Sequence, residues 1–312
     1  MKNMLLPIAS NCGKGKNNLR MYSRYRLAQK YLHYYLTAAN GKGHGIHSPF
    51  VFNFVLNVLN DRVAYPDYAA IEGLRRRLRR DDTLLEIEDM GAGSVWKAPR
   101  QRSIGDITRR AAKSARLGQL LYRVARYYGP GTVLELGTSL GFSTAYLAAG
   151  AGAAIGVPVR GGVGAAGGAE GEAGGKGAGG GARVWSVEGA VQVAAVADKN
   201  LRSLGLPVRQ VVGNFDKVLP AVLQEMGTVG LAFVDGNHRR EPTLAYFELL
   251  MTYAAPQAVL IFDDIHWSRE MEEAWAAIKN DPRVYLTIDL FFIGLVFLRE
   301  EFKVKQDFVI RY

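Results

Sequence analysis

From residue 131 onward, short apolar runs rich in β-branched residues alternate with segments of helical periodicity. The apolar runs predict five strands, at Val133–Leu136, Val184–Val187, Arg209–Val212, Leu231–Val234 and Ala258–Phe262. The intervening segments predict five helices, at Ser143–Ala149, Gln192–Leu204, Val218–Glu225, Thr243–Tyr253 and Arg269–Lys279. Such alternation predicts an α/β fold, because each helix returns the chain to start a parallel strand and covers one face of the sheet.

Two more apolar runs follow, at Val284–Leu290 and Gly294–Arg299. The connection between them is too short for a crossover, so the pair is predicted to be an antiparallel hairpin.

The first 130 residues are predicted to be mainly helical, with helices at Leu19–Ala39, Phe50–Leu59, Tyr68–Arg80 and Ile107–Tyr128. Gly129-Pro130 ends the last of these. We therefore expect a disordered tail at 1–19, a basic helical cap region at 20–114 and the α/β domain at 115–312.

The positive charge is concentrated in the N-terminal part of the chain. Residues 1–130 contain 23 Lys and Arg against 9 Asp and Glu, whereas residues 131–312 contain 16 against 20. This asymmetry points to an anionic substrate, a nucleic acid or a membrane surface as partner. A solvated, arginine-rich helical surface explains it equally well.

The chain has one cysteine, Cys12, so an internal disulfide is excluded and a reducing compartment is favoured. Its apolar runs, such as Leu290–Leu298, are far shorter than the ~20 residues that a membrane span needs. We expect a cytoplasmic protein without a membrane span. A homodimer is compatible with the sequence, which does not fix the oligomeric state.

Residues 150–181 are predicted to be a flexible insert. They include 15 glycines in 32 positions and few large apolar side chains. Burial of such a segment cannot offset the entropy lost on ordering it.

The segment Thr132–Thr144 is predicted to bind a ligand. A buried strand carries Glu135 near its end, Gly137 and Gly141 shape a tight turn, and a helix begins near Ser143. Glycines let the backbone turn sharply and approach a ligand closely. Open α/β sheets bind ligands at this edge, although such a loop is equally compatible with a dinucleotide site.

Glu188 ends the second strand, where an acidic side chain accepts hydrogen bonds from a ribose diol. It follows Glu135 by 53 residues, and removing the 32-residue insert leaves 21. That is close to the usual spacing of about 20.

The run Glu-Leu-Gly-Thr-Ser-Leu-Gly-Phe-Ser resembles motif I of class I S-adenosylmethionine-dependent methyltransferases. It is especially similar to small-molecule O-methyltransferases and to poorly characterised bacterial methyltransferases. Over residues 115–300 or so, the resemblance implies a Rossmann-like, seven-stranded doubly wound sheet whose last strand is antiparallel.

The same resemblance implies residues that bind S-adenosylmethionine. Glu135, Gly137 and Gly141 would surround its methionine part, Glu188 its ribose, and Gly213 with Asn214 its adenine. Thr138, Ser143 and Asp235 complete the expected cofactor set. The family often has an acidic residue in place of Asn214.

A second glycine loop, Asp89–Ser94, also resembles motif I. Pro99 prevents a clean helix after it, and no acidic strand end follows about 20 residues later. We reject it as the cofactor loop.

Asp235, Asp263 and Asp264 follow the fourth and fifth strands and are predicted to meet at one edge of the sheet. Three oxygen ligands suit Mg²⁺, which would lower the pKa of a substrate hydroxyl. Metal-dependent O-methyltransferases of the catechol and macrolide-sugar type resemble this arrangement. The alternative is that the aspartates support the cofactor without metal.

His238 and His266 are candidates for the catalytic base, because histidine titrates near neutral pH. Alternatively, both only hydrogen-bond the acidic cluster. The catechol type tends to have a lysine near Asn237-His238, which leaves the base open. His44 and His47 lack nearby zinc partners and are interpreted as part of a substrate cap.

The predicted function is O-methylation of a small hydroxylated or anionic acceptor, with Mg²⁺ as an optional second cofactor. An RNA or protein acceptor is an alternative, motivated by the arginines, although no RNA-binding module is recognisable. A second alternative is a non-catalytic scaffold or membrane-surface protein that uses helix Leu19–Ala39.

Overall fold

The computed structural model describes residues 21–43, 46–87, 100–110, 112–153 and 182–312. The predicted tail at 1–19, His44, the second glycine loop at 89–94 and most of the glycine-rich insert lie outside the described residues. The strands are β1 (Leu84–Ile87), β2 (Arg100–Ser103), β3 (Thr132–Leu136), β4 (Arg183–Glu188), β5 (Val208–Val212), β6 (Val229–Val234), β7 (Ala254–Asp263), β8 (Leu286–Asp289), β9 (Ile293–Phe297) and β10 (Gln306–Val309).

Strands β3 to β10 form one sheet in the order β10-β8-β9-β7-β6-β3-β4-β5. Strand β9 is antiparallel to both β7 and β8, and every other neighbouring pair is parallel. This confirms the doubly wound α/β fold with an antiparallel last strand among seven. Strand β10, which the sequence analysis did not predict, adds an eighth strand beside β8.

The helices are α1 (Arg24–Thr37), α2 (Pro49–Phe54), α3 (Pro66–Leu78), α4 (Ile104–Arg110), α5 (Ala115–Tyr128), α6 (Phe142–Gly152), α7 (Val191–Ser203), α8 (Phe215–Met226), α9 (Arg240–Tyr253) and α10 (Arg269–Asn280). A π-helical turn, Val55–Leu59, extends α2. Serine side chains cap α1, α5 and α10 by accepting hydrogen bonds from backbone N–H groups. Within the described ranges, no helix has both the length and the apolar character needed to cross a membrane.

Helices cover both faces of the sheet. On one face, Phe54 of α2 and Leu120 of α5 are fully buried in the same apolar cluster as Val133 of β3. On the other face, α8, α9 and α10 pack against β3, β6 and β7. Residues of the predicted cap region therefore share a core with the sheet, while the domain boundary at 114/115 stays a prediction.

The predicted helix Ile107–Tyr128 is wrong as a single element. Helix α4 ends at Arg110, and α5 begins at Ala115 after the Ser114 side chain accepts a hydrogen bond from the Leu117 N–H at 3.3 Å. A serine favours this position because it satisfies a backbone N–H that has no helical partner. The break places Lys113 in a connection instead of inside a helix.

Helix α6 also differs from its prediction, since it continues to Gly152. A β-carbon on Gly150 would lie 2.3 Å from the Tyr122 carbonyl oxygen, so the glycine lets α6 pack closely against α5. Residues 150–152, which the prediction assigned to the insert at 150–181, are thus part of α6.

Helix α1 is attached to the far end of the chain. The buried Tyr34 hydroxyl donates to the Ile310 carbonyl and accepts from the Tyr312 N–H at 3.0 Å. The Ala39 N–H donates to the Val309 carbonyl at 2.8 Å. These contacts hold α1 over the carboxyl edge of the sheet.

Candidate active site

A cavity of about 840 Å³ opens at the carboxyl edge of the sheet, beside β3, β4, β6 and β7. The strand order reverses between β3 and β6, and ligands of open α/β sheets bind at such switch points. The cavity volume lies within the range of about 300–1,000 Å³ that is usual for small-molecule sites.

The loop after β3 forms the floor of the cavity. Gly137 has φ 103°, and its N–H donates to the Val187 carbonyl at 2.9 Å. The Asp235 N–H donates to the Leu136 carbonyl at 2.8 Å. These bonds fix the ends of β3, β4 and β6 against one another.

Glu135 lies beneath this loop and is completely buried. It accepts hydrogen bonds from the Ser186 hydroxyl at 2.6 Å and from the Thr144 hydroxyl. Burial raises the pKa of Glu135 to about 7, although hydrogen bonds from Ser143, Ser186 and Thr144 oppose the rise. Glu135 thus supports the loop from below and does not line the cavity.

Glu188 lies at the end of β4 and lines the cavity. Its carboxylate accepts hydrogen bonds from the Ser139 N–H at 2.8 Å and from the Ala190 N–H at 3.0 Å. Two backbone contacts from different loops hold this side chain at the mouth of the site.

The remaining predicted cofactor residues divide into two groups. Asn214 caps α8 by accepting from the Asp216 N–H at 3.0 Å, and it lines the cavity together with Gly137 and Asp235. Four others lie outside the cavity lining: Thr138, Gly141, Ser143 and Gly213. Of these, Thr138 contacts the Ser186 hydroxyl at 2.5 Å.

Asp235, Asp263 and Asp264 all line the cavity, as predicted from their positions after β6 and β7. Lys113 reaches the same place from the α4–α5 connection. Its Nζ lies 3.1 Å from Asp235 Oδ1 and donates a hydrogen bond to Asp263 Oδ2.

Three side chains at this edge of the sheet could contribute ligand atoms to a metal ion. One ligand atom each from Asp235, His238 and Asp263 lie within 4.8 Å of one another, a spacing that an ion could bridge. The Lys113 ammonium already contacts both carboxylates, so a divalent ion on the same oxygens would be repelled by its charge unless the lysine side chain moved away. With Lys113 in this position, the residues fit an ammonium but not a divalent ion as well.

His238 follows the acidic strand end of β6 and lines the cavity. Its Nε2 lies 3.5 Å from Asp235 Oδ1, and its Nδ1 lies 3.8 Å from Asp264 Oδ2. The ring therefore sits between two carboxylates and beside the cavity.

His266 occupies a different place, outside the cavity lining. Its Nε2 lies 2.8 Å from Asp289 Oδ2, and its Nδ1 lies 3.1 Å from Glu272 Oε1. Burial lowers the pKa of His266, but hydrogen bonds to these two carboxylates raise it to about 9. The Lys30 ammonium of α1 also contacts Glu272, at 2.8 Å.

Backbone strain is concentrated at the cavity. Of six non-glycine residues with positive φ in the described part of the chain, four line it: Ser139, Asn237, His238 and Asp264. Such conformations persist only where surrounding contacts enforce them, and they cluster at functional sites.

A family model described as a methyltransferase domain matches residues 134–265. This range runs from β3 to just beyond β7 and includes Gly137, Glu188 and all three aspartates. Residues 134–265 are a methyltransferase domain. The prediction of a class I, S-adenosylmethionine-dependent methyltransferase is thereby confirmed at the level of the domain and the enzyme class.

Solved structures of methyltransferases align with 80–91% of the chain. The SAH-bound methyltransferase PaMTH1 from Podospora anserina has a TM-score of 0.50 at 11% identity, covering 91% of this chain and 99% of that one. Cofactor-bound Rv0187 from MTB has a TM-score of 0.49 at 22% identity, with 81% and 98% covered. The O-methyltransferase from Bacillus cereus in complex with SAH has 0.44 at 18%, with 80% and 97% covered. The likeness to PaMTH1 shows a shared fold. Among curated proteins, no match was found.

The wall of the methyltransferase site that faces the helices is basic and aromatic. Arg110, Lys113 and Arg116 line it from the α4–α5 region. The Arg116 guanidinium lies 4.3 Å from the centroid of the Tyr312 ring, which is also part of the wall. Phe292, whose side chain is about half exposed, lies at the same wall.

Sequence reasoning missed Lys113, Arg116 and Tyr312. The serine N-cap at Ser114 was a signal for the helix break that exposes Lys113. No local signal marks Tyr312, because its place in the wall depends on β10 and α1. His47, assigned to a substrate cap, is exposed and is not part of the cavity wall.

Proposed function

We propose that the protein transfers a methyl group from S-adenosylmethionine to a hydroxyl of a small, negatively charged acceptor. One observation carries the proposal. A single cavity is lined on one side by Gly137 and Glu188 and on the other by Arg116 and Tyr312, with the acidic strand ends between them.

The loop side suits the cofactor. Glu188 presents a carboxylate to the cavity, and carboxylates at this strand end accept hydrogen bonds from ribose hydroxyls. Gly137 keeps the floor free of a side chain, and Asn214 lines the adjoining wall where the adenine is expected. Bound S-adenosylmethionine supplies an electrophilic methyl group that needs little further activation. The protein then contributes mainly proximity and orientation.

The helix side suits the acceptor. Arg116 offers an exposed guanidinium whose position is fixed by stacking on Tyr312. Arginine binds carboxylate and phosphate groups with two parallel hydrogen bonds. Phe292 and Trp267 supply apolar contact area beside it.

His238 is the proposed proton acceptor. It lines the cavity beside Asp235, whose carboxylate stabilises the imidazolium that forms when the acceptor hydroxyl loses its proton. We assign His266 a positioning role, because both of its ring nitrogens already face carboxylates outside the cavity.

Calorimetric titration of S-adenosylmethionine into the wild type and into Glu188→Ala tests the cofactor site. Losing a charge-assisted hydrogen bond of ~1.5–3 kcal/mol should weaken binding roughly 10- to 100-fold. Glu225→Ala is the matched control, because Glu225 is exposed on α8 and does not line the cavity. A wild type that does not bind, or a Glu188→Ala variant that binds as tightly as the control, would contradict the proposal.

Methyl transfer to the acceptor class is tested with tritiated cofactor and a panel of hydroxy acids and matched hydroxy amides. We expect the acids to be labelled in preference to the amides. Equal labelling of acids and amides would contradict a preference for anionic acceptors but not the methyltransferase activity.

A further inference from the structure

Asp263 is a buried acidic residue whose ionised form needs a counter-charge, because burial raises its pKa and the Lys113 ammonium opposes that rise. It is only 1% exposed, and its Oδ1 has no hydrogen-bond partner among the described residues. A buried ionised group is costly unless it is paired. The partner of its other oxygen is the Lys113 ammonium.

Lys113 links Asp263 to Asp235 as a metal ion would. An ammonium has three N–H donors; Lys113 donates to Asp263, and its charge lies 3.1 Å from Asp235 Oδ1. The Lys113 side chain is 17% exposed and lines the cavity. A further donor can therefore be offered to a bound acceptor.

The two carboxylates in contact with this ammonium favour its charged form. The two strand ends therefore face a cation.

We propose that Lys113 is the resident cation of this methyltransferase site, holding the position and the carboxylates that a divalent metal would use. The enzyme consequently needs no metal. In the proposed reaction, on which this part of the inference rests, Lys113 donates a hydrogen bond to the acceptor oxygen and stabilises the negative charge that develops there as its proton leaves.

The test is titration of Mn²⁺ alone, followed by the electron paramagnetic resonance signal of the free ion. We expect no stoichiometric binding by the wild type. Lys113→Ala removes the competing charge and should bind one Mn²⁺ at least about 100-fold more tightly than the wild type. Lys113→Ala combined with Asp263→Asn should lose that gain, and Lys113→Arg should behave as the wild type.

Two outcomes would overturn the proposal. The first is a wild type that binds one Mn²⁺ as tightly as Lys113→Ala does and loses it in Asp263→Asn. The second is a Lys113→Ala variant with wild-type circular dichroism that gains no affinity. If Lys113→Ala fails to fold, Mn²⁺ is titrated into Lys113→Gln instead, which also lacks the charge, and its affinity is compared with that of the wild type.

The titration needs neither S-adenosylmethionine nor an acceptor, so failure of the proposed function would not imitate either result. Where methyl transfer is found, its rate should be unchanged by a chelator. A rate abolished by chelation and restored by Mg²⁺ would contradict the resident cation and leave the O-methyltransferase function intact.

Discussion

The backbone carbonyl oxygen of Asp235 lies 2.0 Å from the position that a β-carbon on Gly137 would occupy. Gly137 also has φ 103°, which is strained for any residue with a side chain. Gly137→Ala should therefore push β3 and β6 apart at the cavity floor and abolish S-adenosylmethionine binding. Gly131→Ala is the matched control, since its added carbon meets nothing within 4 Å. Calorimetry and thermal unfolding of both variants check this, and normal binding by Gly137→Ala would refute it.

Breaking the Lys113–Asp263 pair should destabilise the fold strongly. Lys113→Met leaves a buried carboxylate without its counter-charge, at a cost of about 3–5 kcal/mol. The exposed pair Lys279–Asp307, at 2.8 Å, is the control, and Lys279→Met should cost less than about 1 kcal/mol. Urea unfolding measures both free energies. Equal losses of unfolding free energy in Lys113→Met and Lys279→Met would show that the buried pair stabilises the fold no more than the exposed pair.

Glu135 should make stability depend on pH between 4.5 and 7. Its pKa is raised by burial from 4.5 to about 7, so in this window the unfolded chain loses a proton that the folded chain keeps. The free energy of unfolding should then fall as pH rises, by at most about 1.4 kcal/mol per pH unit, and level off above pH 7. Glu135→Gln removes this contribution.

Between pH 4.5 and 7, the free energy of unfolding of the wild type should therefore fall relative to that of Glu135→Gln. Glu225→Gln, at an exposed position, should show a difference that does not change over the same range. Parallel slopes for both glutamine variants would show that Glu135 titrates normally.

Glu272 should control how firmly α1 is attached. It contacts His266 of the sheet edge, and it accepts hydrogen bonds from the Lys30 ammonium at 2.8 Å and the Tyr22 hydroxyl at 2.7 Å. Glu272→Gln should speed hydrogen exchange in α1, because the ion pair with Lys30 is lost. The neighbouring Glu273→Gln is the control, since Glu273 pairs only with the exposed Arg269 among the described contacts. Unchanged exchange in Glu272→Gln would contradict the role.

Arg116 should determine affinity for the acceptor without affecting the chemical step. Arg116→Met removes a charge-assisted contact of ~1.5–3 kcal/mol, so KM for an anionic acceptor should rise roughly 10- to 100-fold with kcat little changed. Arg202→Met, at a 79% exposed position on α7, should leave both constants unchanged. A fall in kcat at constant KM would show instead that Arg116 stabilises the transition state of the chemical step.

The sequence predicted those parts of the site that depend on local patterns. Gly137, Glu188 and Asp235 each end or follow a strand whose apolar run is continuous, so their meeting at one edge follows from the parallel order. The 21-residue spacing left after the insert was removed also identified Glu188 correctly as a strand end.

What could not be predicted depends on contacts between distant parts of the chain. Lys113 meets Asp263 across 150 residues, and only because a serine cap interrupts what reads as one helix. Strand β10 is only four residues long and carries one large apolar pair, Phe308-Val309, so its pattern is too short to distinguish from a loop.

The attachment of α1 to the other end of the chain has a consequence for the order of assembly during synthesis. Tyr34 and Ile310 are 276 residues apart, so α1 leaves the ribosome long before its partner exists. The glycine loop and Glu188 are synthesised well before that point, whereas Tyr312 follows β10. A nascent chain stalled before residue 306 would lack β10 and Tyr312, so Arg116 at the acceptor wall would have no aromatic ring to stack on.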